Sequence, residues 1–190
     1  LRSREFCNLS ECVVRRDDTR EHLKEKVRVA TILGTFQSTL TEFKYLSREW
    51  KRNCEEERLL GVSLTGIMDN PLTNGSKKGL DKLLEELRDV AYETNKEWAE
   101  KLGIPPSAAI TCVKPSGTVS QLVDSASGIH ARHNPFYIRT VRADNKDPLC
   151  NLMKEMGFPN EPDVTKPDHT TVFSFPMKSP KDAVFRMDMT

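Results

Sequence analysis

The residues best suited to chemistry sit in one short turn. Val113-Lys114-Pro115-Ser116-Gly117-Thr118-Val119-Ser120 follows a strand candidate at 108–113 and precedes a segment, 119–123, that can open a short helix. Such a turn aims free backbone N–H groups and Ser/Thr hydroxyls at one point. A helix start adds partial positive charge there, so phosphate is the natural ligand. Gly117 lets the backbone approach an anion, and Lys114 either adds charge or points to solvent. The spacing of a Walker loop is missing. A plain strand-to-helix turn accounts for the same residues, and the sequence leaves both readings open.

Three other segments carry reactive types. Cys7 opens a strand candidate, where a thiol is a redox group, a nucleophile or a packed core residue. No second cysteine nearby in sequence commends itself as its partner. The loop Asp124-Ser125-Ala126-Ser127-Gly128-Ile129-His130-Ala131-Arg132-His133 is long and polar, as loops lining sites often are. Its two histidines lack carboxylate or thiol ligands at a metal-binding spacing, so anion contact by Arg132 or His133 is the better reading, with a solvated loop as the default. The run from Ala30 to Leu40 reads as tight helix packing followed by a turn.

The elements that must position these groups follow from periodicity. Residues 7–15 alternate as a strand. Asp18 with Glu21 makes a capping box for a helix whose face is Leu23, Val27, Ala30 and Gly34. Ser47 caps a second helix, with Glu55, Glu56 and Glu57 as a solvated face. A buried strand at 59–67 ends in a turn. Apolar residues from Leu80 to Leu102 recur at three- and four-residue steps until Gly103 stops the helix. Strands at 137–141 and 170–175 flank a helix that starts at Asp147-Pro148 and closes at Gly157. Strands alternating with helices predict an α/β layer or barrel with much parallel pairing.

The bulk numbers set bounds. The chain has 190 residues, a net charge of +1, 37% hydrophobic and 30% charged residues. That suits one domain with a core and gives no electrostatic footprint for nucleic acid or an anionic membrane. No apolar run approaches the roughly 20 residues that span a bilayer, and no signal peptide is visible. Five cysteines without a CxxC predict reduced thiols in the cytoplasm rather than a zinc site or a disulfide framework. A first residue Leu1 and an end at Thr190 without a closing element read as a piece of a longer polypeptide.

Five blocks, in order, resemble one family. They are Phe6-Cys7-Asn8-Leu9-Ser10-Glu11, Ala30 to Thr35 with Gln37-Ser38-Thr39, Glu57 to Ile67, Pro115-Ser116-Gly117-Thr118, and Ser127-Gly128-Ile129-His130-Ala131-Arg132-His133. Together they are similar to the barrel of ribonucleotide reductase large chains. The last block is most similar to the adenosylcobalamin-dependent triphosphate reductases. The resemblance covers residues 1–150 and fades beyond them.

The resemblance implies a fold and roles. The fold is a ten-stranded α/β barrel, of which residues 1–190 are one partial domain, roughly its second half. The activity is reduction of ribonucleotides to deoxyribonucleotides by thiyl-radical chemistry, with adenosylcobalamin as cofactor, a ribonucleotide as substrate and thioredoxin or another dithiol as reductant. Cys7 matches the downstream cysteine of the reducing pair. Pro115, Ser116, Gly117, Thr118 and Val119 match the turn that binds substrate phosphates, with Ser120 beside them. The family's radical cysteine, in Asn-x-Cys-x-Glu, has no counterpart in the chain, which is therefore expected to be inactive alone. Cys12, Cys54, Cys112 and Cys150 match no catalytic position. The alternatives are a non-catalytic α/β phosphate-binding module, one piece of a split reductase, or a reductase that uses a diiron partner.

Overall fold

The computed structural model describes residues 1–190 except Pro115, Asp182 and Thr190. The chain forms two compact units. The first is Leu1–Arg132 with Asp182–Thr190, and the second is His133–Lys181. Both are α/β, but their sheets differ.

In the first unit, β1 (Asn8–Val13) and β2 (Leu60–Thr65) pair in parallel, with Asn8 opposite Leu60 and Val13 opposite Thr65. The stretch 109–112 lies along the other edge of β2, bridged at Thr111 to Val62. Ala109 and Ile110, successive residues, lend their carbonyls to Leu60 and Val62 N–H at 2.9 and 2.8 Å. That irregular register explains why the strand expected at 108–113 condenses to a bridge.

Helices cover one face of this sheet. α1 (Arg20–Gln37) buries Leu23, Val27, Ala30 and Gly34 as its periodicity requires. Its N-cap is Thr19, not Asp18, and Thr19 Oγ1 accepts from His22 N–H at 3.2 Å. Asp18 is engaged elsewhere, accepting from Arg15 N–H and Lys26 Nζ. α2 (Arg48–Glu57) follows Ser47, which makes no side-chain cap. Only part of its acidic end is a free face: Glu55 accepts from Thr41, and Glu56 and Glu57 pair with Arg2. α3 (Leu80–Leu102) packs along α1 and ends at Gly103 as the sequence predicts. Its Leu83, Leu87 and Ala91 join Leu23, Val27, Leu60, Val62 and Ile110 in the core. Asn95, fully buried on α3, donates to Thr35 on α1 and to Ser107, and accepts Ser107 N–H. It thereby ties the start of the third strand segment to both helices. A five-residue helix, α4 (Thr118–Leu122), follows the candidate phosphate turn.

The second unit is an antiparallel sheet in the order β3 (Phe136–Asp144), β5 (Thr170–Lys178), β4 (Asn160–Pro162), with α5 (Pro148–Glu155) beginning on an Asp147 cap. The parallel pairing expected throughout therefore holds only in the first unit. Only the link from β4 to β5, residues 163–169, is too short for a parallel crossover, which needs a dozen or more residues. No helix among the described residues is long and apolar enough to cross a membrane.

Candidate functional site

Successive side chains on a strand point to opposite faces. On β1, Ser10 and Cys12 turn toward α1. Cys12 is buried in the core and its thiol donates to the Lys26 carbonyl at 3.5 Å. Burial pushes that thiol up to about 12. Cys7, Leu9 and Glu11 fall on the opposite face, where Leu9 lies across from Gly61 and Glu11 across from Ser63. Leu9 is half exposed, so helices do not cover this face. Cys7 is half-buried, and burial, followed by its neighbour Cys112, raises its thiol above the ordinary range.

Glu11 meets the candidate phosphate turn. Ser116 Oγ donates to Glu11 Oε2 at 3.0 Å, and Thr65 Oγ1, from the end of β2, stands 3.1 Å from Ser116 Oγ. Ser120, fully buried, donates back to the carbonyls of Ser116 and Gly117 at 2.6 and 2.8 Å. The hydroxyls of Ser116 and Ser120 thus knit the turn from inside. Gly117, Thr118 and Val119 are its exposed members, and the space where a Gly117 Cβ would stand is open. Pro115 lies outside the described residues. Among those residues, Glu11 Oε1 and Ser63 Oγ are buried without a hydrogen-bond partner, side by side on the uncovered face.

The polar loop holds this arrangement in place. Gly128 N–H donates to Thr65 Oγ1 at 2.9 Å, Gly66 N–H to the Ala126 carbonyl at 2.8 Å, and Ser127 Oγ to the Ser116 carbonyl. Gly66 has φ +78°, and a Cβ there would come within 2.5 Å of the Val14 carbonyl, so only glycine fits this crossing. Arg132, read from sequence as an anion contact, is instead committed inward. It is buried and bidentate to Asp69 at 3.0 and 2.9 Å, with further bonds to Asp124 Oδ1 and its carbonyl at 2.9 Å. Burial opposes its charge, but the bonds to Asp69 and Asp124 more than offset that and raise it. Asp69 in turn accepts Ala126 N–H at 2.8 Å. The second loop candidate, His133, belongs to the other unit, where it packs edge-on against Tyr137. No group of three or more His, Cys, Asp or Glu suited to a metal occurs among the described residues.

Sequence reasoning missed Glu11 and Thr65. Glu11 was within reach of it, because it follows Cys7 by four residues on the same face of an alternating strand. Thr65 was not, since its role depends on which segments pair.

Known proteins fit this geometry. An adenosylcobalamin-dependent ribonucleoside-triphosphate reductase of Euglena gracilis is 29% identical over 190 residues, all of this chain and 26% of its own length. One from Levilactobacillus brevis is 33% identical over 172 residues, 77% of this chain and 23% of that one. The crystal structure of a B12-dependent, class II ribonucleotide reductase superposes with a TM-score of 0.76 at 24% identity, over 97% of this chain and 29% of that one. The chain is thus similar to ribonucleotide reductases in sequence and in fold. No family model matches it. It spans about a quarter of the length of the curated relatives it matches. The alignment with the Euglena reductase runs through both compact units, so the antiparallel sheet of 133–181 is part of the family likeness too.

Proposed function

We propose that the chain forms part of the catalytic barrel of an adenosylcobalamin-dependent reductase of ribonucleotides, with triphosphates as substrates. Its parallel first unit then supplies strands to the second half of a ten-stranded α/β barrel, and residues 1–190 are one partial domain of it. The observation that carries the reading is the uncovered sheet face, with Cys7 at one end and the Ser116 turn at the other. In a barrel, the face opposite the helices is the interior. Cys7 and Glu11 lie four residues apart on extended chain, about 13 Å at 3.3 Å per residue. That is comparable to the sugar-to-phosphate reach of a nucleotide.

Each residue then has a task. The backbone N–H groups of Gly117, Thr118 and Val119, with the Thr118 hydroxyl, face a phosphate, and Ser116 and Ser120 brace them. Pro115 completes the turn. This clamp fixes the ribose, so that proximity lowers the barrier. Cys7 gives up an electron and a proton as the 2′ hydroxyl leaves as water. A second thiol supplies the other electron and closes a disulfide, which thioredoxin or another dithiol reduces again. The raised Cys7 thiol is protonated at neutral pH, as a proton donor must be. The five free cysteines accord with a reducing, cytoplasmic setting.

Adenosylcobalamin supplies the initiating radical in this chemistry. Among the described residues, the 740 Å³ cavity of the first unit is lined mostly by apolar side chains such as Val27, Leu84 and Leu87, which does not fit the polar, amide-bearing rim of a corrin.

The test is conversion of CTP to dCTP by the full-length polypeptide carrying this chain, with a dithiol reductant, with and without adenosylcobalamin. Cobalamin-dependent turnover that vanishes in Cys7→Ser is expected. Turnover without cobalamin would keep the reductase and remove the cofactor. No turnover from a folded protein would leave a phosphate-binding module.

A further inference from the structure

Two thiols share a space on the uncovered face. A Cβ placed on Gly61 would lie 3.0 Å from Cys7 Sγ and 3.1 Å from Cys112 Sγ. Both sulfurs therefore face one point, and their separation cannot exceed the sum of those distances. Both cysteines are free and partly buried. Only a glycine between them leaves the room.

Strand geometry decides what two such thiols can do. Cys7 leads into β1, which runs along one edge of β2, while Cys112 donates its N–H to Val62 on the other edge at 3.0 Å. Their backbones are thus two inter-strand spacings apart, about 9.5 Å. A disulfide needs Cα atoms within about 7 Å. A direct S–S bond would have to displace β2. A bridging ion adds two metal–sulfur bonds of about 2.3 Å each, and these span the gap.

We propose that Cys7 and Cys112 form a two-thiolate site for one soft monovalent cation of the copper(I) type, held linearly between the sulfurs. Soft sulfur ligands select such ions, and two ligands suffice for a linear one. Two neutral thiols and the cation give a bis-thiolate complex of charge −1, and two protons leave to solvent. No electron moves. Lys114 acts on both thiols and offsets the added negative charge. A Leu9 methyl stands closest to the shared point, and its half-exposed side chain can turn outward. Binding stands on geometry alone. Only its consequence, withdrawal of Cys7 from reduction, rests on the proposed reductase reading.

The experiment is an anaerobic titration of the chain with copper(I) buffered by bicinchoninate, read by loss of the coloured competitor complex and by proton release. One equivalent bound and two protons released are expected. Cys112→Ser should weaken binding by more than the about 10–100-fold that loss of an outer-shell partner brings, and Cys112→Met should restore part of it. Circular dichroism checks that each variant is folded. X-ray absorption of the copper-loaded natural chain serves if a variant does not fold: two sulfurs in a line support the site. A third ligand, or nitrogen and oxygen donors, overturns it. Unchanged affinity in folded Cys112→Ser overturns it too. So does a Cys7–Cys112 disulfide formed readily with diamide, because the spacing argument would then be wrong. Copper binding without any reductase activity in the full-length protein would sink the functional reading and leave this site standing.

Discussion

Cys12 and Cys7 sit on one strand and meet opposite fates. Cys12 turns under α1, is sealed in the core and holds its proton up to about pH 12. Cys7 turns the other way, beside a glycine, a second thiol and a half-exposed leucine. The same contrast runs along β2, where Leu60 and Val62 are core while Gly61, Ser63 and Thr65 face Leu9, Glu11 and Val13. One face of the sheet is packed for stability. The other is lined by small, polar and sulfur-bearing groups, and among the described residues Glu11 Oε1 and Ser63 Oγ are buried there without a partner. A face left polar and poorly filled destabilises a fold unless something else occupies it, so its composition points to function.

The contrast can be broken most forcefully from above the uncovered face. Arg132→Met leaves Asp69 buried and uncompensated, and should cost about 3–5 kcal/mol in urea unfolding. A loss below about 1 kcal/mol would mean that water already screens the pair. Packing comes next. Leu23→Ala, on the sealed face, should cost about 2–5 kcal/mol. Leu9→Ala, half exposed on the other face, should cost under about 1 kcal/mol. Equal losses would erase the distinction between the faces.

Titration gives an effect with a definite sign. The unfolded Cys12 thiol ionises near 9.0 and the folded one at about 12. Across that window the folded state binds more protons, so stability falls as pH rises, by up to about 1.4 kcal/mol per unit. Below pH 9 the contribution is constant. Urea midpoints measured on both sides of that pH, for the natural chain and Cys12→Ala, isolate it: the variant should lose the Cys12 part of the slope.

How much of this the sequence disclosed depends on range. α1 and α3 were legible because a 3.6-residue period is written locally in Leu23, Val27, Ala30 and in Leu83, Leu87, Ala91. The Ser116 turn and the Asp147 cap were legible for the same reason. Thr19 displaced Asp18 as a cap because Lys26 and Arg15 claim the aspartate, a competition that local spacing hides. The antiparallel order β3-β5-β4 was not legible, since β4 is three residues with a proline at its end and alternation does not name a partner. Arg132 looked like an anion ligand until Asp69, distant in sequence, met it. Cys112 fell outside every motif, and only the pairing of two segments with β2 brings it to Cys7.

The finest test concerns the bond that joins the uncovered face to the turn. Glu11 Oε2 accepts from Ser116 Oγ at 3.0 Å, a charge-assisted bond. Glu11→Gln keeps an acceptor in the same place and removes the charge. A hydrogen bond to a charged group contributes about 1.5–3 kcal/mol against about 0.5–1.5 for a neutral one, so the variant should lose about 1 kcal/mol of stability. The same change removes a negative charge from beneath the turn. If the turn holds phosphate as proposed, its affinity for inorganic triphosphate should rise about threefold to tenfold, since charges about 4 Å apart in water interact by about 1 kcal/mol. Amide shifts of Gly117, Thr118 and Val119 during a triphosphate titration measure this directly. Tighter binding with a modest stability loss places anion recognition at the turn's exposed amides. Weaker binding would mean that the carboxylate's grip on Ser116 matters more than its charge, and that the turn binds by shape set from the strand below.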